Sequence, residues 1–463
     1  MAKSITIVFP HQLFKQHPAI KRGRTVWLME ETRFFVDYRY HKKKLVMHRA
    51  SMKYYQDYLR ENGYNVRYFD YMDVNGEQIL GNLFKKENIT DVHIGDVYDV
   101  EVKKLYEKVC SNVNASCTWY ETPMFMTDLK LRNQYWAESR SHTVEDFYNW
   151  QRSRYDFLPK INVSDPVIRA ETKTYSVQEN KYVKDAKKYI DEYFAENYGA
   201  TAGFSYAVTH TDARLILRNC LENMHDTTSQ GSLRAALNTG LLEPADIADE
   251  ILEFAKKRNI KTNTFAELLT YIVSIREFMY ILYENEGEKL REYNIYSHTR
   301  MIPRSWYLAK TGIAPVDTII RNILRSAYLD DFQGLAVLQS AMMLSEFDPD
   351  HMHQWFMELS VSAYDWIVVP MVYGRGAYTQ TDSAYILNSS HILKAGEYKI
   401  GEWCDLWDAL YWHFIATQTD MLAQNNFLSD AITKYQAKSV SDKESIRQTA
   451  EKYLSSLGVS AYT

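Results

Sequence analysis

The chain is predicted to hold an N-terminal α/β domain with a parallel sheet, followed by an all-helical domain. Three observations predict this. Short apolar runs alternate with amphipathic stretches over residues 1–125. From about residue 201 onward, apolar residues recur at helical spacing. The length of 463 residues, 46% of them hydrophobic, exceeds one ordinary core.

Taken in order, the candidate strands are Ile5–Phe9, Thr25–Met29, Asn65–Phe69, Asp91–Ile94 and Ser116–Tyr120, with helical stretches near His48–Asn62, Gly76–Lys86 and Val100–Val109 between them. That rhythm is βαβ and implies a parallel sheet covered by helices. Ligands of such sheets sit beyond the carboxyl ends of the strands, where Pro10–Gln12 and Glu30–Glu31 fall. Residues 126–200 are polar and aromatic-rich and read as an interdomain connection with some helix. The domain from 201 to 463 carries helical patterns at Thr211–Met224, Pro244–Lys257, Thr264–Asn285, Val316–Ala327, Leu335–Ser345 and Pro349–Val368. Two more follow, near Leu428–Lys438 and Asp442–Leu457.

Bulk properties exclude several classes. A formal charge of −5 argues against sequence-wide nucleic-acid binding but leaves room for a local basic face. No run of about 18 apolar residues exists, so no membrane span is expected. The first residues lack the features of a signal peptide, and the four scattered cysteines fit neither a disulfide framework nor a metal cluster by spacing; a cytoplasmic protein is expected. Neither GxGxxG after the first strand nor GxxxxGK[ST] is present, which argues against a dehydrogenase-type dinucleotide site and a P-loop.

Four segments carry the chemistry. In FDPDHMHQWFMELSVSAYDWIVVPMVYG, Asp348 and Pro349 form a helix start, and Trp355, Leu359, Ser362 and Trp366 recur on one helical face. Two indoles beside a small hydroxyl suit a planar aromatic ligand, and equally an ordinary core. In GSLRAALNTGLL, a helix capped by Gly240 is one reading and a phosphate-approach segment the other. In IREF, the acidic Glu277 is predicted buried and needs partners; an internal ion pair is one possibility. Trp306, Tyr307, Trp355, Phe356, Tyr364 and Trp366 form an aromatic set that is either packed core or electron relay.

The first of these segments, together with WYLAKTGIAPVDTIIRNIL, WCDLWDALYWHF, IVFPHQLF and HKKKLVMHRASMKYYQDYLRENGYNV, resembles the photolyase/cryptochrome superfamily. The branch is the prokaryotic one usually labelled deoxyribodipyrimidine photolyase-related. The resemblance runs from the first strand to about residue 415, and order and spacing together make it specific.

The resemblance implies a Rossmann-like antenna domain and a helical domain that binds FAD. It assigns Ser232, Arg234, Leu237 and Asn238 to the flavin phosphates and Arg276 to the flavin's vicinity. Glu277 matches the residue that contacts the damaged base, and Trp355 lies against the isoalloxazine. Ser362, Tyr364 and Trp366 complete the flavin contacts, and Tyr307 takes a position on the electron path. An antenna chromophore, lumazine or folate, would sit near Glu31, His41 and Leu45. Asp330–Asp331 stand where (6-4)-repairing relatives carry paired histidines, which places (6-4) repair in doubt. Only Cys404 matches a cluster ligand, and Pro315 replaces another, so no iron–sulfur cluster is expected. The activity implied is a blue-light-driven photolyase acting on UV-damaged DNA. The alternatives are a cryptochrome-like photoreceptor with a protein partner, and a divergent paralogue that binds flavin weakly. A monomer is expected.

Overall fold

The computed structural model describes residues 3–158, 178–222, 227–329, 332–374, 386–394, 398–422 and 428–458. Packing divides them at 281/282 into two compact units. The boundaries drawn from the sequence are 125/126, just after the last strand ends at Tyr120, and 200/201, at the end of the expected connection. The division at 281/282 marks where packing thins.

The first unit is built on five parallel strands, β1 (Lys3–Val8), β2 (Thr25–Met29), β3 (Val66–Phe69), β4 (Ile89–Gly95) and β5 (Ser116–Tyr120), in the order β3-β2-β1-β4-β5. β1 is central, pairing Ile5 with Thr25 on one side and Val92 on the other. Its last four residues are buried, as a strand covered on both faces requires. The helices α1 (Lys42–Glu61), α2 (Glu77–Glu87) and α3 (Val100–Asn112) make the crossovers. α1 begins six residues earlier than its apolar pattern predicts, at Lys42 instead of His48. The His41 ring caps it, accepting from the Lys43 amide at 3.0 Å, and so three lysines are drawn into the first turn. α3 starts conventionally on Asp99, whose carboxylate accepts from the Glu101 and Val102 amides.

Six further helices complete the run of this unit before residue 260. They are α4 (Leu129–Glu138), α5 (Val144–Arg154), α6 (Lys181–Tyr193), α7 (His210–Glu222), α8 (Thr227–Asn238) and α9 (Pro244–Arg258). The turn after α8 meets the loop after β1. The Leu13 amide donates to Thr239 O at 2.9 Å, and Gly240 takes φ +76°. A Cβ at Gly240 would lie 2.8 Å from the Phe14 ring and 2.9 Å from the Leu13 amide nitrogen, so backbone meets backbone too closely for any side chain. The helical pattern predicted over Thr264–Asn285 is one continuous rod with a flaw. An α segment (Ala266–Thr270) passes through a π turn (Tyr271–Ile275) into α10 (Arg276–Leu290).

The second unit is helical. Its longer described helices are α11 (Ala314–Ser326), α12 (Pro349–Leu359), α13 (Glu402–Thr417) and α14 (Val440–Leu457). Two further π segments occur at Phe332–Gln339 and Pro370–Gly374.

The single helix expected over Pro349–Val368 is corrected here. α12 ends at Leu359, and a new helical turn starts only at Asp365 and runs to Val369. Ser360 is extended (φ −98°, ψ 133°), its hydroxyl accepts from the Ser362 amide, and the Val361 amide is taken by Ala327 O at 2.8 Å. Serine oxygens competing for backbone amides, with a β-branched residue between them, favour this break. Trp355 and Leu359 therefore share a helix, whereas Ser362 lies between helices and Trp366 lies on the next one.

Candidate functional site

The site residues expected from the sequence fall into two groups, one in each unit. In the first unit the group is polar. Ser232, Leu237 and Asn238 of α8 are buried, and Arg234 is half-buried with its guanidinium 4.1 Å from the Tyr271 ring centroid. Arg276 is 1% exposed. Its Nη1 donates to Met124 O, its Nη2 to Asn238 Oδ1 at 3.5 Å, and its guanidinium lies 4.6 Å from the Phe125 centroid. Both of these acceptors are neutral, and burial pushes the guanidinium pKa below its ordinary value. Two residues earlier, the Ser274 Oγ is buried without a hydrogen-bond partner. The π turn places both residues, because a π turn rotates the following helix relative to an unbroken α-helix.

Glu277 is held by backbone amides, with the neighbouring Arg276 charge favouring its ionised form as well. Its Oε1 accepts from the Met126 amide at 2.7 Å and its Oε2 from the Thr127 amide at 3.0 Å. Burial raises its pKa and those amide bonds oppose the rise. Thr127 in turn receives Gln151, whose Nε2 also donates to Val273 O at 2.8 Å. The 124–128 segment is thus clamped on α10 from two sides.

In the second unit the group is aromatic. Trp355 is fully buried, with its indole N–H donating to Trp306 O at 3.2 Å. Phe356 meets it edge-on at 5.3 Å and Tyr307 stands 6.4 Å away, tilted by 51°. Tyr364 and Trp366 are buried and Ser362 is half-buried. Between the two aromatics sits a residue that sequence reasoning passed over. Asp365, buried, accepts from Arg291 Nη2 on both oxygens at 2.6 and 2.7 Å. It also accepts from the Tyr283 hydroxyl at 2.8 Å and contacts His353 Nε2 at 3.0 Å. The signal was there: one carboxylate inside the apolar run AYDWIVV must find partners. Asp330 and Asp331 lie outside the described residues.

At the carboxyl edge of the sheet, the three residues matched to an antenna are already engaged. Glu31 caps Thr32–Phe35 and receives the Tyr106 hydroxyl, His41 caps α1, and Leu45 is fully buried. Between β1 and β4, where the strand order reverses, Gln12 Nε2 bridges to Gly95 O at 2.8 Å and Asp96 O at 3.0 Å. Burial dominates the acid–base chemistry here. It holds His11 and His17 at about 3, raises Glu31 to about 7, and lowers Lys44 to about 7 with Arg33 assisting.

Cys110 and Cys117 lie in the sheet unit on α3 and β5, Cys220 lies on α7, and Cys404 lies on α13 of the other unit. Two surface clefts of about 470 and 420 Å³ border α1 and include none of the candidate residues. No helix among the described residues is long and apolar enough to cross a membrane.

Comparison with known proteins agrees with this architecture. A family profile described as deoxyribodipyrimidine photo-lyase-related protein matches residues 6–167. A (6-4) photolyase of Agrobacterium fabrum is 23% identical over 470 residues, covering 90% of this chain and 92% of that protein. The class III photolyase of Agrobacterium tumefaciens superposes with a TM-score of 0.59 at 15% identity, covering 99% of this chain and 98% of that one. An archaeal photolyase of Sulfolobus tokodaii, solved with two FAD molecules, gives 0.53 at 13% identity, covering 98% and 100%. At these identities the structural matches show a shared fold: a five-stranded parallel sheet unit and a helical C-terminal region. Sheet order, helical region, family profile and full-length relative converge, and the chain belongs to the photolyase/cryptochrome superfamily.

Proposed function

We propose that the protein is an FAD-dependent, blue-light-driven enzyme of the photolyase type, acting on pyrimidine dimers in UV-damaged DNA. The observation that carries this reading is the buried polar set of α8 and α10, in which Arg276 Nη2 donates to Asn238 Oδ1 at 3.5 Å and Ser232 is buried on the same helix as Asn238. Guanidinium and amide groups brought together in a buried place suit an anionic ligand. Ser232, Arg234 and Asn238 add a hydroxyl, a second cation and an amide, a donor set that fits a cofactor pyrophosphate and flavin ring oxygens. The named photolyases among its relatives, one of them solved with FAD, support the same cofactor.

Bound FAD would supply blue-light absorption and one-electron reducing power. The chain's own residues do the rest. Ser232, Arg234, Leu237, Asn238 and Arg276 hold the anionic part. Trp355, Ser362, Tyr364 and Trp366 would line the ring and exclude water, and Tyr307 would stand on the path by which an electron reaches the flavin. Glu277 meets the flipped base. Each of its oxygens retains a lone pair beyond the amide bonds with which to accept from the base edge. Lumazine or folate as antenna, the absence of an iron–sulfur cluster, a monomeric state and a cytoplasmic location belong to the same proposal.

The test is direct. Purified protein is denatured to release flavin, and reduced holoprotein is illuminated with oligonucleotides carrying a cyclobutane dimer or a (6-4) product. Light-dependent loss of the cyclobutane dimer is expected. Flavin-loaded, reduced protein that leaves both lesions intact would favour the second reading, a cryptochrome-like receptor. That reading is supported by Asp330–Asp331 in place of paired histidines. Protein folded but free of flavin would favour the weakly binding paralogue.

A further inference from the structure

The last turn of α5 and the residues after it carry an arrangement that the reading above does not use. Arg154 stands over two aromatic rings, 4.6 Å from the Trp150 centroid and 5.3 Å from the Tyr155 centroid. Phe157 packs on Tyr155 at 5.3 Å. All three rings are partly exposed, although Trp150 also stacks on Phe147 at 5.6 Å and packs against Tyr135 at 5.4 Å, so Tyr155 and Phe157 offer the freer faces. Arg152 lies on the same turn with its Nε buried and unbonded. Among the described residues, neither Arg152 nor Arg154 is paired with a carboxylate. This matters in a chain whose 59 acidic residues outnumber its 54 lysines and arginines.

The patch is not remote from the candidate chemistry. Arg154 Nη1 donates to Gln151 Oε1 at 2.8 Å. Gln151 Nε2 donates to Thr127 Oγ1 at 3.1 Å, and the Thr127 amide donates to Glu277 Oε2 at 3.0 Å. One hydrogen-bonded chain within the first unit therefore joins the surface arginine to the carboxylate assigned to the base.

We propose that this turn (Trp150, Arg152, Arg154, Tyr155 and Phe157) is a docking surface for an unpaired DNA strand. The inference rests on the reading of the protein as one that acts on DNA, and it adds the state of the strand. Guanidinium groups without a carboxylate meet phosphates, and partly exposed aromatic faces stack on bases. A duplex hides its base faces, so rings at a surface recognise a strand only where it is opened. The fork of Arg154, fixed by Gln151 on one side, keeps its remaining N–H groups for a phosphate.

The experiment uses the full chain in the dark, with fluorescein-labelled, lesion-free fifteen-nucleotide oligo-dT and a duplex of the same length, read by anisotropy across a salt series. Wild type is expected to bind the single strand about tenfold tighter than the duplex. Trp150→Ala should weaken the single strand about tenfold, the order of one base stack. The double variant Arg152→Glu/Arg154→Glu should weaken it at least as much and flatten the salt dependence by about 1.4 in log–log slope, roughly 0.7 per lost phosphate contact. Lys85→Glu/Lys86→Glu on α2 makes the same change in net charge on an exposed stretch and should leave the single-strand affinity within about twofold. Circular dichroism confirms that each variant is folded. If a folded Arg152→Glu/Arg154→Glu binds as wild type does, or if it loses no more than the lysine control, the proposal falls. Equal affinity of wild type for strand and duplex also overturns it. Neither result touches the photochemical reading, which is measured with lesions under light.

Discussion

The two groups of candidate residues differ in kind. In the sheet-bearing unit, Ser232, Arg234, Asn238 and Arg276 bring polar groups into a largely buried environment, with the Ser274 Oγ unbonded two residues before Arg276. In the helical unit, Trp355, Tyr364 and Trp366 are packed rings. There the indole of Trp355 is tied to Trp306 O and the carboxylate of Asp365 to Arg291, Tyr283 and His353. The first group offers polar contacts to a ligand and the second offers rings. The lesson is that unsatisfied polarity points to a ligand more sharply than aromatic content does, because rings satisfy each other.

That contrast can be broken. Trp355→Ala has the largest expected effect. It removes a fully buried indole and should cost about 3–5 kcal/mol of stability in urea unfolding. A loss under about 1 kcal/mol would mean the ring is not core. Arg276→Met should act oppositely. Flavin affinity should fall about 10–100-fold, from the ~1.5–3 kcal/mol of a hydrogen bond to a charged group. Unfolding of the flavin-free protein should move by less than about 1 kcal/mol, since an apolar side chain replaces a costly buried charge. If instead the flavin-free protein collapses while flavin binding is retained in what survives, Arg276 is structural and the contrast is lost.

The sheet edge sharpens the comparison through pH. His11 and His17 are held neutral, with pKa values near 3 against an ordinary 6.5. The unfolded chain therefore binds protons that the folded chain refuses. Stability is lost as pH falls from about 6.5 toward 3, at about 1.4 kcal/mol per pH unit for each histidine. Glu31, raised from 4.5 to about 7, opposes this, because the folded chain takes up its proton first and gains stability as pH falls from 7 to 4.5. Urea titrations at pH 7, 6 and 5 should show a net loss in wild type, to which His48, His210 and His298 add because burial holds them neutral too, and a steeper one in Glu31→Gln. Equal slopes would sink the assignment. The smallest effect is expected from Ser274→Ala. Deleting an unpartnered buried hydroxyl should stabilise the flavin-free protein by about 1 kcal/mol and weaken flavin binding modestly. No change in either quantity would show that hydroxyl to be hydrated or bonded.

Much of the fold was legible. Each strand of the sheet is an apolar run bounded by polar turns, and the βαβ rhythm dictates parallel pairing, so five strands fall within about two residues of their predicted bounds. The break after Leu359 was not legible, because Trp355, Leu359, Ser362 and Trp366 keep helical spacing straight across it. The deciding bond, Val361 N–H to Ala327 O, joins residues far apart in sequence. The same holds for Glu277, whose amide partners lie 151 and 150 positions away. Periodicity reports which face a residue would share if the helix continued; it carries no information on whether a distant carbonyl will stop it. Asp365 was legible in principle, as an acid in an apolar run, but its partners were not.

The π turn at Tyr271–Ile275 sets the phase of everything after it. An α-helix advances about 100° per residue, so one surplus residue in the coil decides the compass bearing of Arg276 and Glu277 alike. A chain shortened by a single residue there would regain a regular helix and swing both side chains round by roughly a third of a turn. The guanidinium and the carboxylate would be lost together, without either being mutated.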